Sequence, residues 1–113
     1  MVARDPVPDR GDVVWISLHL QMGHEQAGRR PAVVLSRAAY NGRLGLALLC
    51  PITTQAKGFP FEVLLPAGLG IRGVVLADQG KSLDWRARQA ETVTRIPEAV
   101  IDEVLRKARA LLA

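Results

Sequence analysis

Residues 45–66 read GLALLCPITTQAKGFPFEVLLP. Two apolar runs stand out in it, Leu46–Cys50 between Gly45 and Pro51, and Phe61–Leu65 between Pro60 and Pro66. Each is too short for a globular helix and suits a strand closed by turn residues. The same pattern recurs outward in both directions. Ala32–Ser36 (AVVLS) follows Pro31, Val13–Leu18 (VVWISL) follows the Arg10-Gly11-Asp12 turn, and Gly73–Asp78 (GVVLAD) follows another glycine-containing turn. Short apolar runs at this spacing predict a barrel or sandwich of strands. Several runs are continuous rather than alternating, which predicts a tightly curled small barrel with two covered faces, or an interface. A sixth, more polar strand is expected within Arg86–Arg95.

After Pro97 the period changes. Val100, Ile101, Val104, Leu105, Ala108, Leu111 and Leu112 fall at three/four spacing, one stripe of an amphipathic helix. Glu98, Asp102 and Glu103 lie toward its start and Arg106, Lys107 and Arg109 toward its end, the polarity a helix dipole favours. The expected architecture is therefore mainly β with a C-terminal helix packed on the sheet, and 1–113 is read as a single domain.

Composition narrows the function classes. The 113 residues are 49% hydrophobic and 23% charged, ordinary globular values, with a formal net charge of +4 that suits a polyanionic partner. The single cysteine, Cys50, excludes an intramolecular disulfide and a multi-cysteine metal site, and its apolar setting marks it as a buried small hydrophobe. The opening MVARDPVPDRGD is charged and proline-rich, and no run approaches the ~18 apolar residues of a membrane span, so a cytoplasmic location without membrane contact is expected. Two Trp, one Tyr and two Phe are too few for a surface that stacks base after base. Trp15 and Trp85 are read as core or dimer-interface anchors.

The charge is uneven. From Arg29 to Phe61 the chain carries Arg29, Arg30, Arg37, Arg43 and Lys57 and no acid, and the same stretch holds Thr53-Thr54-Gln55. Guanidinium, ammonium, hydroxyl and amide groups are the inventory that contacts phosphates and base edges, although a solvated basic face has the same composition. Just before it lies a long polar segment, His19–Arg30, holding both histidines. Its densest part is Gly23-His24-Glu25-Gln26-Ala27-Gly28-Arg29-Arg30-Pro31. His24 and Glu25 can transfer protons, and an arginine can grip a phosphate through paired hydrogen bonds while staying charged.

This block, G-H-E-Q-x-G-x-R-P ahead of the strand Ala32–Ser36, strongly resembles the MazF/PemK (Kid) family of bacterial toxins. The resemblance continues through Pro51–Gln55, Lys57–Val63, Gly73–Gln79, Lys81-Ser82 and Trp85–Arg88, in order over nearly the whole chain. It implies a homodimeric SH3-like β-barrel that cleaves single-stranded RNA at a short motif. No metal or other cofactor is implied; the ribose 2′-oxygen attacks the adjacent phosphate to leave 2′,3′-cyclic phosphate and 5′-hydroxyl ends. Arg30 matches the family's catalytic arginine, and Thr53 its catalytic threonine. Glu25, His24 and Asp78 match groups from which the general base is drawn, and the choice among them stays open. Gln26, Arg29, Thr54, Gln55, Lys57, Phe59 and Gln79 complete the expected RNA-contacting set. Two departures matter: His19-Leu20-Gln21-Met22 replaces an Asp-Pro-containing stretch, and Leu76 stands where the PemK branch has a basic residue. The implied partner is a MazE-like antitoxin with an acidic tail, operator DNA being reached only through that complex. Two competing readings share the barrel: a non-catalytic toxin binding DNA gyrase in the manner of CcdB, and a catalytically dead RNA-binding module.

Overall fold

The computed structural model describes residues 6–18 and 28–113. Its elements in chain order are β1 (Asp12–Ser17), β2 (Arg29–Val34), α1 (Ala38–Leu44), β3 (Leu46–Thr53), β4 (Glu62–Leu64), β5 (Val74–Leu76), β6 (Lys81–Asp84), β7 (Glu91–Arg95) and α2 (Glu98–Ala110). The strands pair in the order β4-β5-β3-β2-β1-β7, with β6 also on β3, and every pairing is antiparallel. The mainly β architecture with a C-terminal helix is thus the observed one, as a strongly curled sheet that does not fully close.

The continuous apolar strands are explained by two cores, one on each face of the sheet. Val13, Val33, Cys50, Ile52, Val63 and Val75 face one core, into which α2 inserts Ile101 and Val104. Val14, Ile16, Ala32, Val34, Ala47 and Leu49 face the other, closed by Leu83 and the fully buried Trp85. Neighbouring residues on a strand point to opposite faces, so a strand buried on both sides has no polar positions to spare. The helix stripe ends sooner than its spacing predicts: Leu111 and Leu112 lie beyond α2 and are exposed.

Two elements escape the sequence reading. Helix α1 has a glycine in mid-helix and only one buried residue, Asn41. Tertiary hydrogen bonds hold it instead. Asn41 Nδ2 donates to the Pro8 and Ser36 carbonyls, Ser36 Oγ donates to Asn41 Oδ1, and Trp85 Nε1 donates to the Asn41 carbonyl. Arg37, at the N-cap, offers no side-chain cap, and Asp9 accepts the Ala38 N–H at 2.8 Å in its place. That bond holds the Asp9 carboxyl below its ordinary range. Strand β6 (KSLD) buries only Leu83 and carries no apolar run. The sixth polar strand occupies only Glu91–Arg95 of the expected interval, since residues 85–90 turn.

Two prolines shape the region that matters for function. The β2–β3 ladder runs Val34↔Leu49, Val33↔Cys50, Ala32↔Pro51 and stops there. Pro31 and Pro51 have no N–H to extend it. Beyond that point the β2-facing edge of β3 is unpaired, while on its other edge, after β6, Ile52 and Thr53 pair with Val75 and Val74 of β5. The start of β2 and the end of β3 therefore part company, and a groove opens between them.

Candidate functional site

The groove has a volume of about 690 Å³. Arg30, exposed, enters it from β2, opposite Ile16 of β1, and Thr53 enters from the last position of β3. Thr54 and Gln55 follow Thr53 along one wall, and Gln79 joins from the segment after β5. The Thr53 Oγ1 accepts the Gln55 N–H at 3.1 Å, a local turn that fixes the hydroxyl at the groove wall. Arg72 and Lys81, to which the sequence reading attached no role, also line the groove. No carboxylate lies among its described lining residues, and none of the ion pairs among the described residues involves Arg30, Arg72 or Lys81. Three cations from three chain segments thus share one concave, acid-free surface. That arrangement attracts a phosphodiester.

A second recess of about 300 Å³ adjoins the groove, sharing Thr53, Gln55, Leu76 and Gln79 with it. Lys57, Phe59, Phe61, Glu62 and Asp78 complete its wall. Asp78 Oδ1 is buried there without a hydrogen-bond partner among the described residues. A buried acceptor left unpaired is costly and needs an explanation, and a substrate hydroxyl delivered to it supplies one. Burial pushes the nearby Cys50 thiol up to about 11, with the Asp78 charge adding to the effect. Leu76 faces both cavities and has no proton to give, so an acid at that position is absent here.

Arg29 departs from expectation. Its Nη1 donates to Ser17 Oγ (3.2 Å) and the Arg88 carbonyl (3.4 Å). Its Nη2 donates to the Trp15 and Gln89 carbonyls and Glu91 Oε1 (3.1, 3.0 and 3.1 Å). With five acceptors around its two terminal nitrogens and a side chain only 14% exposed, this guanidinium seals the seam of β1, β2 and β7 and is turned to the sheet rather than the groove. Adjacent strand residues must point to opposite faces, so the Arg29-Arg30 pair is split between sheet and groove. Arg37 and Arg43 also leave the expected basic patch, because one caps α1 and the other sits in its last turn. Of the two anchor readings, Trp15 leaves the core one: it is 38% exposed and lines the groove beside Arg30 and Pro31. Trp85 is the core anchor expected, with the Arg86 guanidinium 4.2 Å over its ring.

His24, Glu25 and Gln26 lie outside the described residues. The described residues do fix the stem from which that segment springs. Leu18 N–H donates to the Gly28 carbonyl at 2.9 Å, and Arg88 Nη1 donates to the Ser17 and Leu18 carbonyls at 3.1 and 2.7 Å. Leu18 itself lines the groove, so the stem stands at its rim.

Residues 9–112 match the model of PemK-like, MazF-like toxins of type II toxin–antitoxin systems. The chain belongs to that family. It is 56% identical over 84 residues to the endoribonuclease toxin MazF of Escherichia coli (strain K12), covering 74% of this chain and 75% of that one. It is 36% identical over 117 residues to the endoribonuclease PemK of Escherichia coli, covering 99% and 87%. The crystal structure of MazF (Form-I) from Deinococcus radiodurans superposes with a TM-score of 0.87 at 58% identity, over 96% of this chain and 98% of that one. A MazE–MazF crystal structure (Form-II) from the same organism gives 0.86 at 54%, over 96% and 97%. The family resemblance carried by G-H-E-Q-x-G-x-R-P and the later blocks is thereby established. The groove is where a toxin of this family meets the geometry described above.

Proposed function

We propose that this toxin is an endoribonuclease that cuts single-stranded RNA at the Arg30–Thr53 groove using its own side chains. The observation that carries the reading is the convergence of Arg30 and Thr53, from two strands that separate at Pro31 and Pro51, on a groove whose described lining holds no acid. In the reaction the ribose 2′-hydroxyl loses its proton to a base, the O2′–P bond forms and the P–O5′ bond breaks. The products are a 2′,3′-cyclic phosphate and a 5′-hydroxyl end that has taken up a proton. Asp78, with its unpartnered buried oxygen, is the one base candidate of the three within the described residues; Glu25 and His24 are the others. Arg30 stabilises the crowded phosphorane, where charge builds up and a fixed cation lowers the barrier most. Thr53 orients the scissile phosphate, while Arg72 and Lys81 hold the flanking ones.

The relatives' names and the MazE–MazF structures support the same reading. The protein works as a homodimer in the cytoplasm, and a MazE-like antitoxin covers the groove with acidic residues. The charges that attract RNA attract that polyanion too, so toxin–antitoxin affinity falls as salt rises. Among the described residues no helix is long and apolar enough to cross a membrane. The decisive experiment digests a long RNA of known sequence in EDTA and maps every new 5′-hydroxyl end. Discrete ends are expected from wild-type protein and none from Arg30→Ala. Intact RNA with wild-type protein, or normal cutting by Arg30→Ala, overturns the assignment.

A further inference from the structure

The recess beside Thr53 owes its shape to a loop, residues 54–61, with little packing of its own. Lys57 and Phe59 are exposed, Phe59 to 50%. What holds the loop is one side chain from β4. The Glu62 carboxylate accepts the Lys57 N–H (Oε2 at 3.0 Å, Oε1 at 3.2 Å) and the Gly58 N–H (Oε1 at 3.0 Å). The Glu62 N–H in turn donates to the Phe59 carbonyl at 3.1 Å, so the loop is tied at both ends of the same residue. The Phe59 and Phe61 rings lie 5.6 Å apart, one on the loop and one beside the clasp. The Glu62 carbonyl is itself held by α2, through a 3.0 Å bond from Lys107 Nζ, and that ammonium also pairs with Glu103 at 3.1 Å. An unbroken set of polar contacts therefore runs from the terminal helix to the backbone of Lys57 and Gly58.

We propose that Glu62 is a positioning residue that sets which RNA sites are cut. It fixes the Lys57–Phe59 backbone and so the shape of the recess next to Thr53 and Asp78. The carboxylate touches no reacting atom; its charge is spent on two amides, and bonds from amides to an ionised acceptor are among the stronger ones. The loop carries Lys57 for a phosphate and Phe59 for a base, so a change in its conformation alters discrimination between sites rather than chemistry at all sites. This inference rests on the endoribonuclease reading.

The test maps 5′-hydroxyl ends on the same long RNA for wild-type protein, Glu62→Ala, Glu62→Asp and Glu62→Gln, alongside thermal midpoints. Glu62→Gln keeps the side-chain length and one oxygen where Oε1 accepts both amides but puts an NH2 group at the Oε2 position, so it should shift the pattern less than Glu62→Asp. Glu62→Asp keeps the charge and suits the fold, but is one methylene short of the loop. It should shift the ratio of preferred to secondary sites by roughly tenfold, as should Glu62→Ala, because one mispositioned contact to a flanking phosphate or base changes discrimination by a factor of that order. Amide exchange at Lys57 and Gly58 should quicken in the same two variants. An active wild type with an unchanged pattern in Glu62→Asp overturns the proposal, and so does a uniform loss at all sites in all three variants. Wild-type protein that cuts nothing removes the nuclease reading, and this inference falls with it.

Discussion

Gly73 is the place where one methyl group should disable the site from behind. It precedes β5 with φ +123°, and a Cβ added there would lie 2.2 Å from the Thr53 carbonyl oxygen and 2.8 Å from its carbonyl carbon. Both atoms are backbone, so no side chain can swing aside, and relieving the contact takes a displacement of roughly 1 Å. The residue that moves is Thr53, which pairs with Val74 and lines the groove. Two costs result. A non-glycine residue at such a φ costs about 1–3 kcal/mol, and a ~1 Å error in a catalytic group costs on the order of a hundredfold in rate. Gly68 separates the two, because its φ is +91° and nothing lies within 4 Å of its added Cβ. Gly68→Ala should therefore show the backbone cost alone, a fall of roughly 4–24 °C in Tm at ~4–8 °C per kcal/mol, with cleavage per folded molecule retained. Gly73→Ala should fall further in Tm and cut RNA about a hundredfold more slowly. Thermal unfolding and single-turnover cleavage, both at a temperature where each variant is folded, read the difference. If Gly73→Ala matched Gly68→Ala in both, the close approach of β5 to Thr53 would not govern the site, and the reasoning fails.

Three other outcomes follow from the structure. Arg30→Ala should abolish cleavage with little change in Tm, since Arg30 is exposed and enters none of the ion pairs among the described residues; thermal midpoints beside the RNA assay check both halves. Arg29→Lys should do the reverse: an ammonium cannot reach the five acceptors of the fork, so stability should drop by about 2–3 kcal/mol in a urea titration while the folded fraction still cuts. Cys50 titrates near 9.0 when unfolded and about 11 when folded, so the fold favours its neutral form. Its contribution is complete below the unfolded value and is lost as pH rises from about 9 toward 11, because the unfolded thiol ionises first. Wild-type urea midpoints should therefore fall more steeply over that window than those of Cys50→Ala, and equal slopes would remove the thiol from the pH dependence.

The fold was legible wherever burial wrote itself into the chain. Val13–Leu18, Ala32–Ser36 and Leu46–Cys50 announce strands because both their faces are covered, and the stripe through Ile101 and Val104 announces a helix because one face is. What escaped was held by something other than a local pattern. Helix α1 depends on Asn41 reaching Pro8 and Trp85 reaching Asn41, contacts that no window of residues contains. Strand β6 exists because β3 offers it an edge, Leu46 to Leu49 pairing with Asp84 to Lys81. Its own residues would read as a loop.

The site was legible in part, and the division follows from strand geometry. Arg30 and Thr53 stand in family motifs and both arrive at the groove. The acid-free run from Arg29 to Phe61 suggested a basic patch, yet a run in sequence is not a patch in space. Alternation on β2 sends Arg29 into the seam and Arg30 into the groove, α1 carries off Arg37 and Arg43, and only Lys57 remains, at the adjoining recess. The positive charge of the groove is made up by Arg72, from the connection before β5, and Lys81, the first residue of β6. These two are separated from Arg30 by more than forty residues of chain and brought to it by β3, which carries β2 on one edge as far as Pro51 and β6 and β5 on the other. The groove's electrostatics are thus a product of where the β2–β3 ladder ends. A substitution that extended the β2–β3 ladder past Pro51, such as Pro51→Val, should draw Arg30 away from Thr53 and weaken RNA binding without removing any charge. Retained affinity and rate in that variant would show that the parted strands do not build the site.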